Sequence, residues 1–341
     1  MMRVSGITRQ CILFVFLLGT RTEATAADIW FENNVLGDVV TPEIMKDTFL
    51  HPESFERASR YINVYMVGAP LLIKMHDDFL TNVFAPYLKE RNIKLAVDAP
   101  AVTLAQTPER IKPRKMEIQL YRRLNALGVR VDYISLQSTL SKSTKKFGGG
   151  EYLIARRIED AISYAKEVHT IFPNAEIGLI DALPTQGKDY EEPYRMLKEA
   201  MENAGEKLSY IHLDAPFDFP YERHKGVTWN TLRGVERYVE DSLGLRFGII
   251  TTSNVGGKKS SKEFHERVVA SMECYLLHGG TPSEFVIASW FPYPNRVTPD
   301  SPVGDDYPAM STVYELGTRL KKYEREPIRA RSHTEIACTV N

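Results

Sequence analysis

Ile177-Gly-Leu-Ile180 ends at Asp181, the stretch Tyr194–Ala204 follows and stops at Gly205, and Tyr210-Ile-His-Leu213 then runs into Asp214. The outer two pieces are short apolar runs of strand length. The middle piece has the spacing of an amphipathic helix, closed by a glycine. Strand, helix and strand at this spacing make a βα unit, in which parallel strands are joined by a crossover helix. The same unit recurs in both directions. Toward the N-terminus lie Ile29-Trp-Phe31, Tyr61-Ile-Asn-Val-Tyr-Met66, Ile93-Lys-Leu-Ala-Val97 and Val131-Asp-Tyr-Ile-Ser-Leu136; toward the C-terminus lie Phe247-Gly-Ile-Ile250 and Phe285-Val-Ile-Ala288. The segments between them, Thr81–Glu90, Glu117–Leu127, Tyr152–Phe172, Leu232–Leu243 and Phe264–Leu277, read as helices, with Met310–Tyr323 closing the series. Eight alternations predict an α/β fold in one domain, a closed (β/α)8 TIM barrel. A doubly wound open sheet is the alternative, but no glycine-rich fingerprint follows the first strand.

The two ends of the chain read differently from this body. Arg3 and Arg9 precede the apolar run from Cys11 to Leu18, and Ala24-Thr25-Ala26 supplies a small-residue cleavage pattern. Residues 1–26 are therefore expected to be a secretory signal peptide, residues 27–325 the barrel, and the polar, basic residues 326–341 a flexible tail. The apolar run falls far short of the roughly 20 residues that span a bilayer. The mature protein is expected to be secreted or periplasmic, with no stable membrane insertion. A formal net charge of -1 gives no footprint for nucleic acid. Cys274 and Cys338 remain after processing; a disulfide in an oxidising compartment and a buried free thiol are both open. There is no CxxC or zinc spacing, and neither a metal nor a cofactor is expected.

A barrel places its active site at the carboxyl ends of the strands. Four of the runs end in acids: Glu32, Asp98, Asp181 and Asp214. Cleavage of a glycosidic bond uses two carboxyl groups, one protonated and one ionised, and crowded carboxyls raise one another's pKa. Asp214 and Asp181 come first as catalytic candidates, then Asp98 and Glu32. Capping a helix or pairing with an arginine inside the barrel is the structural alternative for each. Trp290 and Tyr293, in the proline-rich exit of the eighth run, offer faces for sugar rings. Tyr65, Gln137, His212 and Asn254 are the remaining substrate-binding candidates. The loop Ser138–Gly150 sits where a lid would cover the mouth, and Gly256-Gly-Lys-Lys-Ser260 reads as a solvated basic loop.

On eight-fold alternation, secretion, strand-end acids and Ala288-Ser-Trp290, the chain from Asp28 to about Tyr323 resembles the (β/α)8 glycoside hydrolase superfamily. The resemblance implies a polysaccharide or oligosaccharide partner and hydrolysis of O-glycosyl bonds. The two-glutamate retaining members carry an Asn-Glu pair after strand four and a glutamate after strand seven; here Gln137 and Thr251-Thr-Ser-Asn254 stand in those places. A non-catalytic carbohydrate-binding barrel is therefore a second expectation. A metal-dependent sugar enzyme using His212, Asp214 and Asp181 is a third.

Overall fold

The computed structural model describes residues 27–32, 40–100, 102, 111–140, 151–183, 190–215, 218, 227–325 and 338. The expected signal peptide, most of the expected lid and the tail apart from Cys338 lie outside these residues. Eight strands are present: β1 Asp28–Glu32, β2 Ile62–Gly68, β3 Lys94–Ala99, β4 Tyr133–Gln137, β5 Glu176–Ala182, β6 Leu208–Asp214, β7 Arg246–Thr251 and β8 Glu284–Ile287. Each is parallel to its neighbours in sequence, and β8 returns to β1, so the sheet is a closed barrel. The fold is the α/β TIM barrel that the alternation predicts.

Around it lie α1 Pro42–Leu50, α2 Glu56–Ser59, α3 Ala69–Lys74, α4 Asp77–Phe79, α5 Ala85–Glu90, α6 Ile111–Ala126, α7 Glu151–His169, α8 Glu191–Asn203, α9 Trp229–Arg237, α10 Asn254–Lys259, α11 Ser261–Leu277 and α12 Ala309–Arg325. A π turn, Leu80–Phe84, joins α4 to α5. Gly128 and Gly205 take left-handed φ values of 71° and 78°, which is why α6 and α8 stop there. The Gly256-Gly-Lys-Lys stretch belongs to a short helix, α10, rather than to a loop. Its two glycines are buried and closely packed: a Cβ on Gly256 would lie 2.7 Å from the Phe264 backbone and one on Gly257 2.6 Å from the Phe291 ring.

Alternation along each strand sorts side chains into two cores. The outward set packs on the helices and includes Phe31, Tyr65, Val97, Leu179 and Leu213. The inward set includes Trp30, Met66, Ala96, Tyr133, Ile180, Tyr210 and Ile250. Aromatic rings fill the interior: Trp30 lies 4.7 Å from Tyr133, 5.2 Å from Tyr210 and 4.6 Å from His212, centroid to centroid. Glycines make room for them. A Cβ on Gly178 would stand 2.1 Å from the Tyr210 ring, and one on Gly248 2.4 Å from His212 Cδ2. Nearer the amino-terminal ends, Glu284 accepts from His212 Nε2 at 2.6 Å and from Arg246 Nε at 2.9 Å, and Arg246 pairs with Glu176 at 2.9 Å. Burial alone would raise the Glu284 carboxyl, but the His212 hydrogen bond, then the His212 and Arg246 charges, leave it below the ordinary glutamate value.

Cys274 of α11 is bonded to Cys338, closing a span of 64 residues. The Cys338 carbonyl also accepts from Trp229 Nε1 at 3.1 Å. No helix among the described residues is long and apolar enough to cross a membrane.

Candidate active site

Glu32, Asp98 and Asp214 meet at the mouth. Glu32 follows Trp30 by two residues on β1, Asp98 follows Ala96 on β3, and Asp214 follows Tyr210 and His212 on β6. Trp30, Ala96 and Tyr210 are interior residues, so the strand period of two turns each acid inward. Glu32 and Asp98 are buried, while Asp214 is half-buried. Burial, followed by the charges of Asp98 and Asp214, holds the Glu32 carboxyl well above the ordinary glutamate range. Carboxyls that disfavour one another's charge in a buried site are the condition under which one of them serves as a proton donor.

Asp181 is not part of this group. Ile180 faces the interior and Leu179 and Leu183 face the helices, so Asp181 shares the helix-facing side. There it is buried beside α8, where its charge, after burial, helps raise the Tyr194 phenol. Tyr65 is likewise outside the barrel, packed at 5.2 Å from Phe49, 5.5 Å from Phe31 and 6.1 Å from Phe84. Both were expected at the mouth because each lies near the end of an apolar run; the phase of the strand, not its last polar residue, decides the side.

His212 faces inward, but one step below the mouth, enclosed by Trp30, Tyr210 and Glu284. Among the described residues no group of His, Cys, Asp and Glu side chains has the arrangement of a metal site. Gln137 is inward and half-buried at the end of β4, in phase with Tyr133. Trp290 lies beyond Ala288 on the inward side of the β8 exit, half-buried, with its inner edge against the interior core and its ring 5.6 Å from Phe291. Tyr293 is half-buried; its N–H donates to Gly257 O at 2.9 Å, and its carbonyl accepts from Ser289 Oγ at 2.7 Å. Asn254 is buried at the start of α10, and its Oδ1 accepts from Lys258 Nζ at 3.0 Å.

Residues that the strand-end rule does not reach complete the surroundings. Asp218 ties the β6 exit to the β7 exit, accepting from Ser253 Oγ at 2.5 Å and from Asn254 N–H at 2.9 Å. Arg157, buried on α7, donates to the Val102 carbonyl at 2.7 Å and so fixes the chain shortly after Asp98. Thr252 is buried in phase with Ile250 and faces inward. Its signal was the period of two running past the end of the apolar run. A separate groove, lined in part by Thr81, Lys89, Lys94, Arg130 and Asp132, lies at the amino-terminal ends of β3 and β4, the rim opposite the acids.

No family model and no curated protein matches the chain. Solved structures do. Xylanase 10B from Thermotoga maritima superposes with a TM-score of 0.55 at 14% identity, over 88% of this chain and 97% of that one. A psychrophilic family 10 endo-β-1,4-xylanase gives 0.51 at 13%, over 85% and 96%. A fungal β-1,4-galactanase gives 0.50 at 11%, over 85% and 99%. The chain therefore shares the (β/α)8 barrel fold of these proteins.

Proposed function

We propose that this chain is a glycoside hydrolase acting on a polysaccharide or oligosaccharide outside the cytoplasm. The observation that carries the reading is the convergence of Glu32, Asp98 and Asp214 at the carboxyl ends of the strands, with the Glu32 carboxyl raised well above the ordinary glutamate range by burial and by the other two. Glu32 donates its proton to the leaving glycosidic oxygen. Asp214, which reaches solvent, is the ionised partner as nucleophile or base. Asp98 keeps the proton on Glu32 by its charge. Trp290 offers a ring face at the β8 exit on which a sugar can stack, and Gln137 a polar edge. Two features support the substrate and the compartment. The structural neighbours include a xylanase, an endo-β-1,4-xylanase and a fungal β-1,4-galactanase, which makes β-1,4-linked polysaccharides the first substrates to try. The Cys274–Cys338 disulfide suits an oxidising compartment, as the N-terminal leader pattern does.

The test is turnover of xylan and galactan by the parent, Glu32→Gln and Asp214→Asn. Loss of the proton donor is expected to lower turnover by about 10²–10⁴. Full activity in both variants would remove these roles. Gln137 and Thr251–Asn254 stand where two-glutamate enzymes carry their acids, and this favours a second reading, a binding barrel without turnover. In that case the parent retains glycan without cleaving it, Trp290→Ala releases the glycan, and both acid variants keep it.

A further inference from the structure

At and beneath the three carboxyls the barrel interior holds polar atoms that no side chain among the described residues satisfies. Trp30 and His212 are both fully buried, yet Trp30 Nε1 and His212 Nδ1 make no hydrogen bond within the described protein. The Thr252 hydroxyl and Glu32 Oε1, also buried, are in the same condition. These atoms belong to inward positions of β1 and β6 and of the β7 exit. The Trp30 and His212 rings stand edge to face at 87° with centroids 4.6 Å apart, and their two nitrogens do not bond to each other. Buried polar atoms without a protein partner point to a partner that is not a side chain, and ordered water or a ligand group ordinarily supplies it.

The two nitrogens define what that partner must be. An indole N–H can only donate. His212 Nε2 faces Glu284 Oε2 at 2.6 Å, and Glu284 also accepts from Arg246 Nε at 2.9 Å. A carboxylate engaged in this way is an acceptor, so it fixes a proton on Nε2, while Nδ1 accepts in the neutral ring and donates in the charged one. A group that accepts from the indole and can either donate to the imidazole or accept from it is a hydroxyl. We infer that the barrel core under the carboxyls is a binding site for one hydroxyl-bearing molecule, which accepts from Trp30 Nε1 and hydrogen-bonds His212 Nδ1. Glu32 is the next inward residue after Trp30, and Asp214 the next after His212, so the hydroxyl lies directly below the acids. An internal water or the hydroxyl of a small polyol entering from the mouth has this chemistry. The inference does not depend on the chain being a hydrolase.

Nitrogen NMR of the intact protein, labelled with ¹⁵N in tryptophan and histidine, tests it. The sequence has 3 tryptophans, so Trp229→Phe and Trp290→Phe variants assign the Trp30 indole signal without touching β1. His212 is then identified by its contact with Trp30. The expected result is a cross-peak from the Trp30 indole proton to a slowly exchanging hydroxyl proton, with His212 protonated at Nε2. Titration with xylose and with glycerol separates the sources. A saturable shift of the Trp30 signal identifies a polyol hydroxyl, and an unchanged signal with the cross-peak retained identifies water. Absence of the cross-peak with and without polyol overturns the inference.

Discussion

Glu32 concentrates the chemistry of the site in one titration. Its folded pKa lies above its unfolded value because burial, then Asp98 and Asp214, disfavour the charge. The folded state therefore binds the proton more tightly than the unfolded chain does. The stability this gives is complete below the unfolded value, about 4.3, and is lost as pH rises through the folded value. Glu32→Gln removes that dependence, so its melting temperature should exceed the parent's at alkaline pH while turnover collapses; thermal melts across the pH range, run beside the assays, check both. Parent turnover should likewise fall on the alkaline side as Glu32 loses its proton. Asp181→Asn, on the helix side of β5, should leave kcat unchanged, and a loss as large as that of Asp214→Asn would place Asp181 back in the site. This pair shows how far a sequence reaches at the scale of a residue. Both aspartates follow apolar runs, and only the phase of the strand separates them: Gly178 and Ile180 mark the inward positions of β5, as Tyr210 and His212 mark those of β6. Glu284 and Arg246 were invisible to a rule that looks only at strand ends, because they lie at strand starts.

The strands themselves were legible because each is covered on both faces, and parallel strands covered in this way read as unbroken apolar runs. The helices α6, α8 and α11 were legible through their apolar spacing and glycine stops. α1 and α3 were not, since each is short and begins with Pro within its first two positions, a local signal with little periodicity behind it. What the apolar runs conceal is why two of them contain glycine. Gly178 and Gly248 sit under Tyr210 and His212, so a methyl group at either has nowhere to go. Gly248→Ala and Gly178→Ala should each cost about 1–3 kcal/mol from overpacking, read from urea unfolding at unchanged slope. If either variant unfolds with the parent's midpoint, the interior is looser than described. At the mouth, Asp218→Ala frees the Ser253 hydroxyl and the Asn254 N–H, and should weaken glycan binding through the β7 exit with little change in secondary structure by circular dichroism.

Across the whole molecule the disulfide joins Cys338 to α11 and holds Trp229 at the start of α9. Cross-linking a span of 64 residues removes chain entropy from the unfolded state. In the chain-entropy model a loop of this length is worth about 4 kcal/mol. Cys338→Ser should lower the melting temperature accordingly, and a reducing agent should bring the parent down to the variant's value while leaving the variant unmoved. The pairing was not legible, because 64 residues of separation say nothing of proximity until the barrel has closed. The aromatic filling has a consequence of another kind. With Trp30, Tyr133, Tyr210 and His212 occupying its middle, the barrel is a cup and not a tube. On the proposed reading, a product formed at the acids must back out through the door by which the next molecule arrives, so traffic at the rim, and inhibition by accumulated product, becomes the natural brake on turnover.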